Sequence, residues 1–114
     1  MIINAKITGA DIYIEDHGIL TFSISVDTSA GWSTSIGQMY LDWSEGDRKV
    51  VPAPYTSTMI RKILETVGVT SWKALVGKYI RIDDNDKYNS PIYKIGNILE
   101  DKWIDLSEIV KLDN

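Results

Sequence analysis

Cysteine is absent from this chain, and histidine and phenylalanine occur once each. Without thiols, neither a disulfide framework nor a thiolate metal centre can form. The absence is compatible with a reducing compartment. A catalytic triad would have to be built around the single imidazole, His17, and no G-x-S-x-G elbow accompanies it. No apolar run approaches the roughly 20 residues that span a bilayer. The opening M-I-I-N-A-K lacks the charged segment and apolar core of a signal peptide. Basic excess is missing too: 12 Lys and Arg stand against 16 Asp and Glu, a net charge of −4. That balance argues against general nucleic-acid binding, which needs a cationic face to displace counterions. The acidic excess is too modest for a DNA mimic and is read as plain solubility.

Phosphate and metal signatures are missing as well. There is no G-x-x-x-x-G-K-[ST] and no G-x-G-x-x-G after a strand. Asp83, Asp84, Asn85 and Asp86 form an acidic cluster, but the glycine and glutamate of a calcium loop do not follow at the required places. A solvated turn is the better reading. Asp42, Glu45 and Asp47 form a second acidic group flanked by Arg48 and Lys49, which reads as exposed surface. No catalytic residue, metal ligand or cofactor is assigned.

What remains is a chain of 114 residues, 44% hydrophobic and 25% charged, the size and composition of one globular domain over residues 1–114. The first segment, Ile2 to Ile14, alternates as a strand, but its phase shifts at Gly9, which implies a bulge or break. Glu15 to Gly18 is a turn. From Ile19 to Val26, Leu20, Phe22, Ile24 and Val26 face one way and Thr21, Ser23 and Ser25 the other, the pattern of an antiparallel sheet with one wet face. Trp32 to Trp43 is a third strand, and Gly37 within it marks a bulge or a close backbone approach. Ser44 to Pro54 reads as a loop.

A helix follows, capped by Thr56 or Ser57, with Met59, Ile60, Ile63, Leu64 and Val67 on its apolar face. Gly68 ends it, with Val69 closing a Schellman-type contact. Ser71 to Leu75 adds a turn, and Lys78 to Asp83 and Ile92 to Leu99 form a hairpin. Asp105 and Glu108 make a D-x-x-E capping box, with Ile104 and Ile109 as its staple, so a short helix starts there. The fold class is α+β: a largely antiparallel sheet of about five strands, one main helix packed on it and a short C-terminal helix. The first and third strands are the expected sheet edges, and an unpaired edge invites a second copy.

Four Trp and six Tyr stand against one Phe, so most aromatics carry a polar handle suited to interfaces and stacking. Trp32 and Tyr40 share parity and hence one face of the third strand, while Trp43 falls on the other. Trp72 and Trp103 are expected to plug core edges. Arg48, Lys49, Arg61 and Lys62 stand near the helix start, where backbone donors can hold an anion. The candidate binding set is Trp32, Tyr40, Trp43, Arg48, Lys49, Tyr55 and Arg61, along the least regular part of the chain.

Several phrases together resemble a family of small, mostly uncharacterised bacteriophage proteins. They are E-D-H-G-I-L-T (Glu15 to Thr21), G-Q-M-Y-L-D (Gly37 to Asp42), I-R-K-I-L-E-T-V-G-V-T-S-W (Ile60 to Trp72), L-V-G-K-Y-I-R-I (Leu75 to Ile82) and I-G-N-I-L-E-D-K-W (Ile95 to Trp103). The resemblance implies a non-enzymatic accessory protein acting in the host cytoplasm that counters host immunity by binding. Its first expected mode is sequestration of a nucleotide-derived immune signal, in a pocket of aromatics and Arg/Lys at an oligomer interface. The alternatives are an anti-CRISPR-like blocker of a defence effector and a structural or recombination accessory module. The expected partner is thus a host defence component, with no membrane role.

Overall fold

The computed structural model describes residues 1–44, 46, 49–84 and 91–111, the side chain of Gln38 excepted. Among them lie β1 (Ile2–Ile14), β2 (Leu20–Thr28), β3 (Ser33–Tyr40), β4 (Asp42–Ser44), β5 (Val50–Pro52), α1 (Thr56–Val67), a 3-10 turn (Lys73–Leu75), β6 (Tyr79–Asp83), β7 (Lys94–Asn97), β8 (Trp103–Asp105) and α2 (Leu106–Lys111). Six strands form one sheet in the order β3-β2-β1-β6-β7-β8, and β4 pairs with β5 as a separate ribbon. Every described pairing is antiparallel.

The strand count exceeds the expected five or so. β4, β5 and β8 carry three residues each, too few to show a period-two pattern in sequence. The stretch read as a loop from Ser44 to Pro54 contains β5. Most of the segment joining the two hairpin strands, residues 85–90, lies outside the described residues.

β2 is the most regular strand. Phe22, Ile24 and Val26 are buried at 1% exposure or less. Both neighbours bend to match it. On β1 the register steps from Ile7↔Val26 to Gly9↔Ser25, leaving Thr8 as the extra residue of the bulge expected at Gly9. On β3 it steps from Met39↔Phe22 to Gly37↔Ser23, leaving Gln38 as the extra residue. The second bulge breaks the simple parity of the third strand. Ile36 pairs with Ile24 on the core face, while Tyr40 pairs with Thr21 on the outer face. Tyr40 and the even-numbered Thr34 and Ile36 are therefore on opposite faces of β3, and Trp32 lies before the strand, so the parity that assigned Trp32 and Tyr40 to one face does not carry across the bulge.

The helices cover one face of the sheet. α1 packs against β7 and β8 and touches α2. It buries Met59, Ile63 and Thr66, and α2 buries Leu106 and Ile109. α1 has no side-chain cap. Tyr55 is the N-cap residue, and the Thr56 hydroxyl donates to the Leu41 carbonyl instead. The C-terminus ends as expected: Gly68 is left-handed at φ 91°, and both Gly68 N–H and Val69 N–H donate to Leu64 O. Asp105 caps α2 by accepting from Ser107 N–H at 3.0 Å. Glu108 pairs with Lys111 at 3.5 Å.

Edges are only partly where the sequence places them. β3 is an edge, but β1 is central where it pairs with both β2 and β6. β6 reaches along β1 only from Ile2 to Lys6, so among the described residues the second half of β1 is an edge after all.

Gly37 combines a left-handed backbone with a site that has no room for a side chain. Its φ is +88°, and a Cβ there would lie 2.5 Å from the Phe22 ring. The strained backbone and the overlap add, because the ring belongs to the core and cannot retreat. Gly37→Ala is expected to lower stability by about 2 kcal/mol or more, measured as a drop in urea midpoint with unchanged slope.

Candidate functional site

The corner where β3 passes into the ribbon is tied by backbone polarity. Leu41 N–H donates to Leu20 O at 2.8 Å, and Ala53 N–H donates to Leu41 O at 2.9 Å. The Asp42 carboxylate accepts from Leu20 N–H at 2.8 Å. This carboxylate therefore serves the backbone and is not a free acid of the second acidic group. Glu45 and Asp47 lie outside the described residues. In the first acidic cluster, Asp83 and Asp84 accept from the Met1 amine at 3.3 and 2.9 Å, and Asn85 and Asp86 lie outside the described residues. Among the described residues, no three His, Asp or Glu side chains gather as a metal site.

Tyr55 belongs to the tie and not to the surface. It is 7% exposed, and its hydroxyl donates to Tyr40 O at 3.1 Å. Burial raises its phenol pKa above the ordinary value, which keeps the donor protonated. The assignment of Tyr55 to ligand contact is therefore corrected to that of an internal strut. The sequence hid this because an N-cap tyrosine beside two prolines looks like an exposed loop residue.

The strut and ties leave Trp43 and Tyr40 at the surface, 37% and 50% exposed. Trp43 pairs directly with Val51 across the ribbon, so both side chains lie on one face of it. With Ser44, Pro52 and Pro54 they line an open hollow of 490 Å³. Lys49 is exposed two residues before Val51. Arg48 lies outside the described residues. Arg61 is in a different place: it borders a hollow along α1 with Ser57, Ile60, Leu64, Glu65, Val69 and Thr70. Its guanidinium is 3.7 Å from the Glu65 carboxylate, one helical turn away. Trp32 is exposed just before β3, about 25 Å of strand from Tyr40 at the usual rise. The candidate set is thus split: Tyr40, Trp43 and Lys49 share one end, and Trp32 and Arg61 do not join them within a single copy.

Of the two tryptophans expected at core edges, one is found there. Trp72 meets Phe22 edge-on at 5.9 Å and does plug the core margin. Trp103 does not. Gly96 pairs with Arg81 on one side and with Trp103 on the other, which places all three on the outer face. The Trp103 ring covers Gly96, where a Cβ would come within 2.6 Å of it. The Arg81 guanidinium stacks 4.9 Å from the ring centre and donates to Asn97 O at 2.7 Å and Glu100 O at 2.8 Å. Lys6 and Tyr79 form a second, looser cation–π pair at 5.8 Å on the same face. The alternation of Ile80 and Ile82 already placed Tyr79 and Arg81 opposite the core, and this was the available signal.

His17 is bound to its own turn. Its Nδ1 lies 2.9 Å from Glu15 Oε2, and its N–H donates to Glu15 Oε1 at 2.6 Å. The hydrogen bond with Glu15, aided by the charge attraction, raises the His17 pKa above 6.5. The same hydrogen bond leads the causes that lower the Glu15 pKa below 4.5.

Two measurements check these assignments. Tyr55→Phe is expected to cost about 1 kcal/mol by removing one net hydrogen bond, read from thermal unfolding. For the turn, the raised histidine stabilises below its unfolded pKa and loses that effect as pH rises through its folded value. The lowered glutamate stabilises above its unfolded pKa and loses that effect as pH falls through its folded value. Both contributions are therefore complete between pH 4.5 and 6.5. In an NMR titration, Glu15→Gln should bring the His17 midpoint back toward 6.5; an unmoved midpoint would mean that the pair does not form.

Among the described residues, no helix is long and apolar enough to cross a membrane. No protein-family model matches this chain, and no curated protein matches it.

Proposed function

We propose that this chain is a non-catalytic bacteriophage accessory protein that counters host immunity by binding, and that its cargo is a nucleotide-derived immune signal in the host cytoplasm. The observation that carries the cargo class is the Trp43 hollow. It offers an indole face, the apolar floor of Val51, Pro52 and Pro54, and the Ser44 hydroxyl. Its volume of 490 Å³ lies within the range of small-molecule sites. Lys49, exposed immediately before β5, carries positive charge, the complement of a phosphate. A base can stack on the indole without needing a matched hydrogen-bond edge, which suits capture of a signal over chemistry on it. The placement of His17 at an exposed turn, engaged with Glu15, fits the same reading.

Blocking of a defence effector is the second reading. Tyr40, Trp43 and Val50 are all large and exposed, a composition that suits aromatic anchors on a protein surface.

Calorimetry against cyclic oligonucleotides and ADP-ribose derivatives separates the two. A binding member is expected, with Trp43→Ala weakening it about fivefold to a hundredfold, since loss of one stacking partner removes roughly 1–3 kcal/mol. Flat titrations across the panel would remove the sequestration reading. Recovery of a defence effector on the wild type and its loss with Trp43→Ala would then favour the second.

A further inference from the structure

We propose that this protein pairs with a second copy of itself along the free edge of β1 from Gly9 to Ile14, continuing the sheet across a two-fold axis centred on Ile12. β6 pairs with β1 only from Ile2 to Lys6. The backbone of Gly77 and Lys78 then bonds to Ile7. From Gly9 to Ile14 only β2 pairs with β1 among the described residues. That stretch presents about 20 Å of strand edge at the usual rise, a template for another strand.

The other edges are blunted. β3 is interrupted by its bulge at Gln38, beside the left-handed Gly37. β8 has three residues and runs directly into α2. The Gly9–Ile14 edge has no proline, lysine or arginine, the residues that commonly protect such a strand. Its side chains are also incompletely covered. Ile12 pairs with Phe22 and Ile14 with Leu20, so both belong to the core face. Yet Ile12 is 42% exposed and Ile14 71% exposed.

Symmetry makes the same edge of a second copy a matching occupant, and charge selects the register. A two-fold operation pairs the same edge of two copies, and the paired strands then run antiparallel. For both core faces to lie on one side of a continuous sheet, the axis must pass through a residue. Centred on Asp11, it sets Asp11 against the partner's Asp11. Centred on Tyr13, it sets Asp11 against the partner's Glu15. Directly opposed like charges are unfavourable. Centred on Ile12, it sets Asp11 opposite the partner's Tyr13, Ala10 opposite the partner's Ile14, and Ile12 opposite its own copy. Of these three, only the last opposes no carboxylates, and it covers both exposed isoleucines. It also brings the outer-face row of Tyr40, Thr21 and Tyr13 into line with the partner's Asp11. The inference does not depend on the identity of the cargo.

Sedimentation equilibrium over a range of concentrations tests the pairing. The wild type is expected at twice its 12.8 kDa chain mass, and a monomer throughout would overturn the proposal. Tyr13→Asp places a carboxylate opposite the partner's Asp11 at two symmetric positions. It should weaken the dimer about tenfold, with an unchanged circular dichroism spectrum. Adding Asp11→Lys should restore dimerisation by opposing unlike charges; failure to restore it overturns the register. The absence of native cysteine allows a direct probe. Ile12→Cys should crosslink to its own copy on mild oxidation, because opposed Cα atoms are about 4.5–5.5 Å apart. Ser35→Cys, on the β3 edge, should not. Crosslinking at Ser35 in place of Ile12 would assign the interface to β3.

Discussion

The unbroken alternation of β2 is the constraint to which the rest of the sheet conforms. Phe22, Ile24 and Val26 are sealed into the core, so β2 has no freedom to slip: a shift by one residue would exchange the core set for Ser23 and Ser25. Both flanking strands carry an extra residue relative to it, Thr8 on β1 and Gln38 on β3. Each bulge restores the apolar phase that the flanking sequence would otherwise lose. Gly37 exists in its form because the β3 bulge requires a left-handed backbone, and because the Phe22 ring occupies the space of a side chain there.

Around that sheet, stability at the periphery comes from polar groups that close backbone ends. The corner between β3 and β4 uses Asp42, Tyr55 and Thr56 for this purpose. At the far side, Asn97 donates to Thr66 O at the C-terminal end of α1 and accepts from Leu99 and Glu100 N–H groups. Arg81 holds the same hairpin from outside and supports Trp103 over Gly96. Residues whose chemistry suggests ligand contact are here absorbed by architecture. This is why the surface left for binding is smaller than the inventory of Trp, Tyr and Arg implies.

Part of the exposed remainder, Ile12, Tyr13, Ile14, Tyr40 and Trp43, lies toward one end of the long strands, while Met1, Ile2, Trp32, Tyr79 and Leu99 are exposed elsewhere. The overall form is elongated, 44 × 30 × 24 Å, as expected when β1, β2 and β3 continue beyond the reach of β6. Tyr40 and Trp43 follow β3 into the ribbon, and Ile12, Tyr13 and Ile14 end β1 on the far side of β2 from them. A two-fold partner on β1 and a cargo on the ribbon would use different parts of this end, the first through backbone edge and aliphatic side chains, the second through an indole face.

Local order was written in the chain. The α+β class, the strict strand at Leu20 to Val26, the phase shift at Gly9, the Gly68 stop and the Asp105 helix start follow from periodicity and turn chemistry over a few residues, and neighbours in sequence suffice to decide them. Pairing was not. Which strand flanks which, the ribbon hidden in a proline-containing loop, and the three-residue β8 depend on partners far along the chain. Tyr55 illustrates the difference: its hydroxyl finds Tyr40 O and its ring finds the core only after β3 and α1 have been brought together. The sequence by itself determined the elements and their apolar faces, because those depend on local backbone geometry. Only the tertiary structure decided which aromatics are spent inside and which strand edge stays open, because burial and hydrogen-bond closure are properties of the assembled sheet.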